Sequence, residues 1–294
     1  MSDQTSPAAP RSVLAPLRAV PAFVAENIWL SIGIFLLGGL ALLSFGAPLF
    51  TAFDPVALNV TQRLKPAVEG QPFGTDLMGR DVFARVLYGG RISLTVGLTV
   101  ACVASLIGLA IGIAAGLIRW VDVVVMRVMD GLMAIPSVLL AIAFMALAGS
   151  SIRNIVIAIT IPEVPRVARL VRGIVMSVRE QPFVEAAVAA GTPDKQLVLR
   201  HILPSTLTPL VVQATYICAS AIISEAYLSF LGAGTPPEIP SWGNVVAEGR
   251  SMFLVNPGLV LYPSLFLAAT VLAVNIVGDG LRDRLDPQMT KALR

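Results

Sequence analysis

The three longest stretches of this chain without Asp, Glu, Lys or Arg are Asn27–Phe53, Ile92–Ile118 and Ser251–Gly278. Each exceeds the roughly 20 residues that a helix needs to cross the hydrocarbon core of a bilayer. A soluble fold could not hide that many such runs in one core. Hydrophobic residues make up 56% of the 294 positions and charged residues 13%, against about 25% charged in an ordinary soluble domain. These features exclude a cytosolic enzyme, a secreted disulfide scaffold, a disordered chain and a nucleic-acid binder. The formal net charge is only +3, so the positive charges are read by position and not as a polyanion site. Cys102 and Cys218 both sit inside apolar runs and read as small packing residues.

The expected fold class is an all-α membrane protein with six transmembrane helices. The spans run about Trp29–Phe45, Ser93–Ile118, Val128–Ala148, Ile152–Val171, Ser205–Leu231 and Gly258–Val277. The first is read as a retained span, because its apolar run is too long for the core of a cleaved signal. The fourth is the least regular: it holds Glu163, Arg166 and Arg169 and is interrupted by Pro162 and Pro165. Proline is tolerated in a span when neighbouring helices satisfy the freed carbonyls. Arg169 and Arg172 are expected to snorkel at one face, and Glu163 to pair with Arg166 three residues on.

Orientation follows from the bias of Lys and Arg. With both termini inside, the cytoplasmic segments hold Arg11, Arg18, Arg119, Arg127, Arg166, Arg169, Arg172, Arg179, Lys195, Arg200, Arg282, Arg284, Lys291 and Arg294. The outer segments hold Arg63, Lys65, Arg80, Arg85, Arg91, Arg153 and Arg250, half as many. The resulting plan is a cytoplasmic tail over 1–28 and a first helix over 29–46. An extracytoplasmic loop follows over 47–91, then a transmembrane domain over 92–282 and a cytoplasmic tail over 283–294. In the second span, Gly108, Gly112 and Gly116 share one helix face. They let a neighbouring backbone approach, either inside the bundle or in a second membrane subunit.

Several chemistries are missing. Lys65, Lys195 and Lys291 are the only lysines, and none follows a phosphate-cradling glycine loop. His201 is the only histidine, which leaves no paired-histidine zinc site, and there is no Gly-x-Ser-x-Gly elbow. No catalytic residue, metal site or cofactor is expected in this chain, so any energy source is a partner or an ion gradient. Glu225, deep in the fifth span, is the best candidate for an ion-coupled carrier, with an interhelical hydrogen bond as its plainer role. Ser137 and Ser224, with Ser105, Thr160 and Ser220, are candidates to line a path or to pack helices.

The most informative segment is 180–204, EQPFVEAAVAAGTPDKQLVLRHILP. Pro182 suits the first position of a helix, and Gly191 suits a left-handed close. Thr192 reads as the cap of the next helix, with Pro193 first in it. The product is a helix of about two turns, too short to be stable alone, with Ala186, Ala187 and Ala190 as a smooth face and Phe183 as a bulky anchor. Either a groove in another protein receives it, or it packs on this chain's own helix ends.

Glu185-Ala186-Ala187, then Gly191, then Ile202-Leu203-Pro204 resembles the EAA loop of ABC-importer permeases. Further segments resemble the dipeptide/oligopeptide/nickel branch of that family. They are Phe73–Asp76 with Gly79-Arg80-Asp81 and Arg85, Tyr88–Leu94, Glu225–Gly232, Pro240–Asn244, and Gly278–Asp283 with Leu285-Asp286-Pro287. The resemblance covers about residues 25–288 and is closest to the shorter permease chain of the pair. It implies a type I importer bundle, N-in and C-in, in the bacterial cytoplasmic membrane. The implied partners are a homologous second permease chain, two ATP-binding cassette subunits that hold the ATP and magnesium, and an extracytoplasmic solute-binding protein. The implied cargo is a peptide, with nickel or another small solute as the alternative. Phe183, Glu185, Ala186, Ala187 and Gly191 are then the expected coupling residues. Trp242, Asn244 and Arg250 are expected at the mouth that meets the binding protein, with Met252–Val255 tucked against the bundle. Asp76, Arg80, Asp81 and Arg85 are expected to neutralise one another at the membrane surface.

Overall fold

The computed structural model describes residues 27–285. Most of the expected tail over 1–28, and positions 286–294 of the other tail, therefore lie outside the described residues. In order, the chain forms α1 (Ile28–Phe45), α2 (Ala47–Phe50), α3 (Val82–Leu117), α4 (Arg119–Ala134), α5 (Ser137–Ala148) and α6 (Ile152–Arg179). It continues with α7 (Pro182–Ala189), α8 (Asp194–Leu197), α9 (Leu203–Phe230), α10 (Trp242–Gly249) and α11 (Gly258–Leu285). Among the described residues there are no strands, only isolated bridges in the loop before α3.

Among the described residues, four helical runs are long and apolar enough to cross a membrane: α1, α3, Asp194–Phe230 and α11. The expected third span is broken. Helices α4 and α5 meet at 90° and count as a fifth crossing only when taken together. The cause is Pro136: it cannot continue α4, and it pushes Ile135 before it into an extended conformation (φ −89°, ψ 127°). By contrast α6 runs through Pro162 and Pro165 without a break. The second span starts earlier than expected, because α3 begins at Val82, where Asp81 caps it by accepting a hydrogen bond from the Ala84 N–H at 2.6 Å.

The core is the seam between α3 and α6. Gly108, Gly112 and Gly116 face Val167, Val171 and Val175, each set at four-residue spacing. A methyl group on Gly112 would come within 2.6 Å of Val171 Cβ, and one on Gly116 within 2.6 Å of Val175 Cγ1. The glycine stripe is thus used inside this chain. The arginines of α6 do not merely snorkel: Arg169 pairs with Asp130 at 2.7 Å, and Arg172 grips Asp122 through two nitrogens. Both carboxylates belong to α4, so these pairs fasten the bent helix to the core. On the other side, α1 packs along α11, and Arg91 of α3 donates to the last carbonyls of α1, Ser44 O at 2.8 Å and Phe45 O at 2.6 Å.

Candidate functional site

Three places gather polar or exposed groups: the end of the bundle that carries α7, the end that carries α10, and a cleft between them.

At the first end, Pro182 opens α7, and the N–H groups of Gly191 and Thr192 donate back to Val188 O and Ala187 O. This pattern closes a helix on a residue in the left-handed region, and Gly191 has φ +78°. Thr192 therefore belongs to the end of α7. The cap of α8 is Pro193, one residue beyond the expectation. Val184 is buried in the main core and Ala187 packs against it. Phe183, Glu185 and Ala186 face outward, so Val184, and not Phe183, is the anchor. Phe183 lies against the His201 ring, with centroids 6.1 Å apart. The helix then runs on without interruption from Asp194 to Phe230. Residues Val198–Ile202 form a π turn in which the Leu203 N–H reaches Val198 O. Pro204 has no N–H to offer Arg200, and the wider turn accommodates it.

At the opposite end the residues expected on the surface are inside. Trp242 is fully buried, and its indole N–H donates to Val86 O at 2.9 Å. Asn244 is also buried, with its amide donating to Thr235 Oγ1 at 2.7 Å and to the carbonyls of Thr235, Pro236 and Ile239 at 3.1 Å. Of the three residues expected to meet a partner, only Arg250 is exposed; its guanidinium lies 5.2 Å from the Phe230 ring centroid. Nor is Met252–Val255 tucked in as a unit. Met252 packs on the bundle, but Leu254 is 97% exposed and Val255 72%.

Glu225 belongs to the same end. It is fully buried and accepts from Ser93 Oγ at 3.0 Å and Ser229 Oγ at 2.8 Å. From Ser229 the polar chain passes to Thr235 and on to Ser241. Beside it, Asp76 pairs with Arg80 and Arg85, both at 2.7 Å, and Glu248 of α10 joins both arginines. Asp81 is not part of this cluster, because it caps α3. Burial pushes the Asp76 carboxyl up, but the Arg80 N–H and the Arg85 and Arg80 guanidiniums outweigh it and hold its pKa below the ordinary value. Gly79 (φ +74°) makes the loop possible: any side chain there would run into the Asn59 carbonyl.

Between the ends, a cleft of about 450 Å³ opens among α5, α6, α9 and α11. Ser137 and Ser224 line it, as do Ser220, Tyr227, Asn275, Glu163 and Arg166. Glu163 accepts from Arg166 at 2.8 Å, the pairing expected from their spacing. Glu225 does not reach the cleft. Among the described residues, no group of three or more His, Cys, Asp or Glu side chains is placed to hold a metal ion.

Residues 105–291 match the family described as the inner membrane component of binding-protein-dependent transport systems. The chain belongs to this family. It is therefore the multi-pass inner-membrane permease component of an ABC importer. A probable peptide ABC transporter permease of Sinorhizobium fredii is 55% identical over 84% of each chain. The dipeptide transport permease DppC of Alkalihalophilus pseudofirmus is 38% identical over 95% of this chain and 92% of that one. The glutathione permease GsiD of Shigella flexneri is 47% identical over 74% and 72%. In fold, the permease resembles an inward-facing structure of the MetNI methionine ABC transporter, with TM-score 0.53 and 20% identity, covering 69% of this chain and 96% of that one. This likeness shows the type I importer permease fold.

Sequence reasoning missed the pairing of Glu248 with Arg80 and Arg85, and it missed Val184 and Asn275. Glu248 lies 163 positions from its partner Arg85, and nothing local marks the pairing. Val184 was legible: it stands three residues before Ala187 and thirteen before Leu197, and all three turn inward.

Proposed function

We propose that this permease supplies one half of a path for short peptides, crossing the bilayer six times with both termini in the cytoplasm. In this reading α1, α3, the α4–α5 pair, α6, the Asp194–Phe230 run and α11 are the six crossings. The Lys and Arg bias, still nearly two to one with the mid-helix Arg166 set aside, supports it and puts α7 inside and α10 outside. The observation that carries the reading is α7 itself. It is a closed two-turn helix, anchored by one valine, with Phe183, Glu185 and Ala186 turned outward, and joined to a continuous membrane helix. A helix this short holds its shape only against a larger body, and the outward face suits a groove in an ATPase subunit. Glu185 lies in the first turn, where a carboxylate favours the helix. Gly191 sets the exit direction, and Ala187 passes displacement to the core.

ATP and magnesium reside in the two cassette subunits of this assembly, and a second, homologous permease chain completes the path. Solute arrives from a binding protein at the α10 end, where Arg250 is the contact retained from the sequence. Trp242 and Asn244 hold α10 in place instead. Peptide cargo is supported by the relatives named as peptide and dipeptide permeases.

The test is uptake by vesicles that contain the full complex. ATP-dependent accumulation of a labelled peptide that requires the binding protein is expected. Uptake by this chain alone under a proton gradient would overturn the reading in favour of a carrier.

A further inference from the structure

The cleft between α5, α6, α9 and α11 contains a guanidinium that the fold uses through one nitrogen only. Arg166 lies about 20 Å along α6 from either end of that helix, at 1.5 Å per residue. Its side chain is 47% exposed and faces the cleft. Nη1 donates to Glu163, and among the described residues the guanidinium makes no other hydrogen bond or ion pair. A guanidinium carries five N–H donors in a fixed fork, so most of them point into open space. Glu163 differs: it is buried, and it accepts from Arg166. Charge at mid-depth in a membrane is expensive to keep, and Glu163 offsets that cost without filling the fork. The rest of the wall is neutral: Ser137, Ser220, Ser224, Tyr216, Tyr227 and Asn275 offer hydroxyls and an amide. Arg166 is the one fixed positive charge among these groups, and its planar fork matches a carboxylate.

We infer that Arg166 binds the C-terminal carboxylate of the peptide in transit, with Glu163 as the residue that positions its guanidinium. This rests on the peptide reading above and adds to it the chemical group that the cleft selects. The neutral wall then tolerates varied side chains, while the charged terminus sets the orientation of the cargo.

The test compares labelled trialanine with its C-terminal amide in vesicles that contain the complete complex, at equal measured loading of the binding protein. The amide keeps everything but the carboxylate, and neither peptide has an acidic side chain. Wild type is expected to favour the free acid by about tenfold, the worth of a charge-assisted hydrogen bond. Arg166→Gln should bring the two rates together by slowing the acid, and Arg166→Lys should restore part of the preference. An equal loss for both peptides, or an unchanged preference, would overturn the proposal.

A second arm needs no transport. Ser224→Cys is placed in a chain whose Cys102 and Cys218 are replaced by alanine. It is labelled with a sulfonate-bearing and with a trimethylammonium-bearing thiol reagent. Arg166→Gln should lower the anionic-to-cationic rate ratio several-fold, and an unchanged ratio would refute the assignment. If the wild-type complex takes up neither peptide with ATP, it is the peptide reading that fails, and the labelling still decides whether Arg166 draws anions.

Discussion

At the α10 end of the permease, Glu225, Ser93, Ser229, Thr235, Ser241 and Asn244 are buried and joined by hydrogen bonds, and Trp242 is sealed against Val86. At the α7 end, a two-turn helix rests on Val184 and leaves Phe183, half exposed, beside His201. One end joins most of its buried polar groups to one another, with Asp81 Oδ2 and Arg85 Nε left over. The other presents an outward face with little beneath it. The contrast teaches that motif residues in one chain sit in different surroundings: those near α10 are mostly buried in the chain's own hydrogen bonds, and Phe183, Glu185 and Ala186 of α7 are exposed, as the proposed docking requires.

This contrast can be broken by mutation. The largest loss of stability is expected from Trp242→Ala, about 3–5 kcal/mol for removing a fully buried aromatic, read by denaturant unfolding in detergent. Arg85→Gln should cost about 3 kcal/mol, because it leaves Asp76 and Glu248 with Arg80 as their one shared cation in a partly dry site. A loss below about 1 kcal/mol would mean that water already reaches the cluster. Glu225→Gln keeps one acceptor oxygen but turns a donor toward Ser93 or Ser229, and should cost about 1–2 kcal/mol. A change in proton dependence of uptake, with stability intact, would restore Glu225 to a transport role.

Acid should weaken the α10 end before the α7 end. The native pKa of Asp76 lies below the unfolded value of about 3.9. The unfolded chain therefore takes up its proton first, and the stabilisation is complete above that value and lost as pH falls through the native one. Hydrogen exchange at residues 76–90 should quicken in that window, and Asp76→Asn should flatten the dependence. The smallest effect on stability, under about 0.5 kcal/mol, is expected from Glu185→Lys on an exposed face. The same change should cut ATP-driven uptake at least tenfold, and normal uptake would sharpen the search toward Ala186 or Phe183.

Local signals in the sequence were the reliable ones. Pro182 and Gly191 bracket α7 because a missing N–H and a positive φ act within one turn, and Glu163 finds Arg166 because a helix brings positions three apart together. The four-residue glycine stripe likewise predicted close packing. Readings failed where distant parts of the chain decide. A Pro- and Gly-rich stretch around Trp242 reads as surface until Val86, 156 residues earlier, supplies a carbonyl for the indole. Val128–Ala148 reads as one apolar span by composition, yet a single proline turns it through a right angle. Arg169 and Arg172 found acidic partners in α4, which the reading of snorkelling side chains did not include.

The unbroken helix from Asp194 to Phe230 has a mechanical consequence. At 1.5 Å per residue it is a rod of about 55 Å, with the α7 knuckle near one tip and Glu225 near the other. Ala219, Ser220, Ile223, Ser224 and Tyr227, one wall of the cleft, ride on the same rod. Pivoting it by 10° about its midpoint sweeps each tip through about 5 Å. In the proposed coupling, a push on the knuckle reaches the cleft along this one helix, through the π turn at Val198–Ile202 and past Pro209, the two places where it could bend.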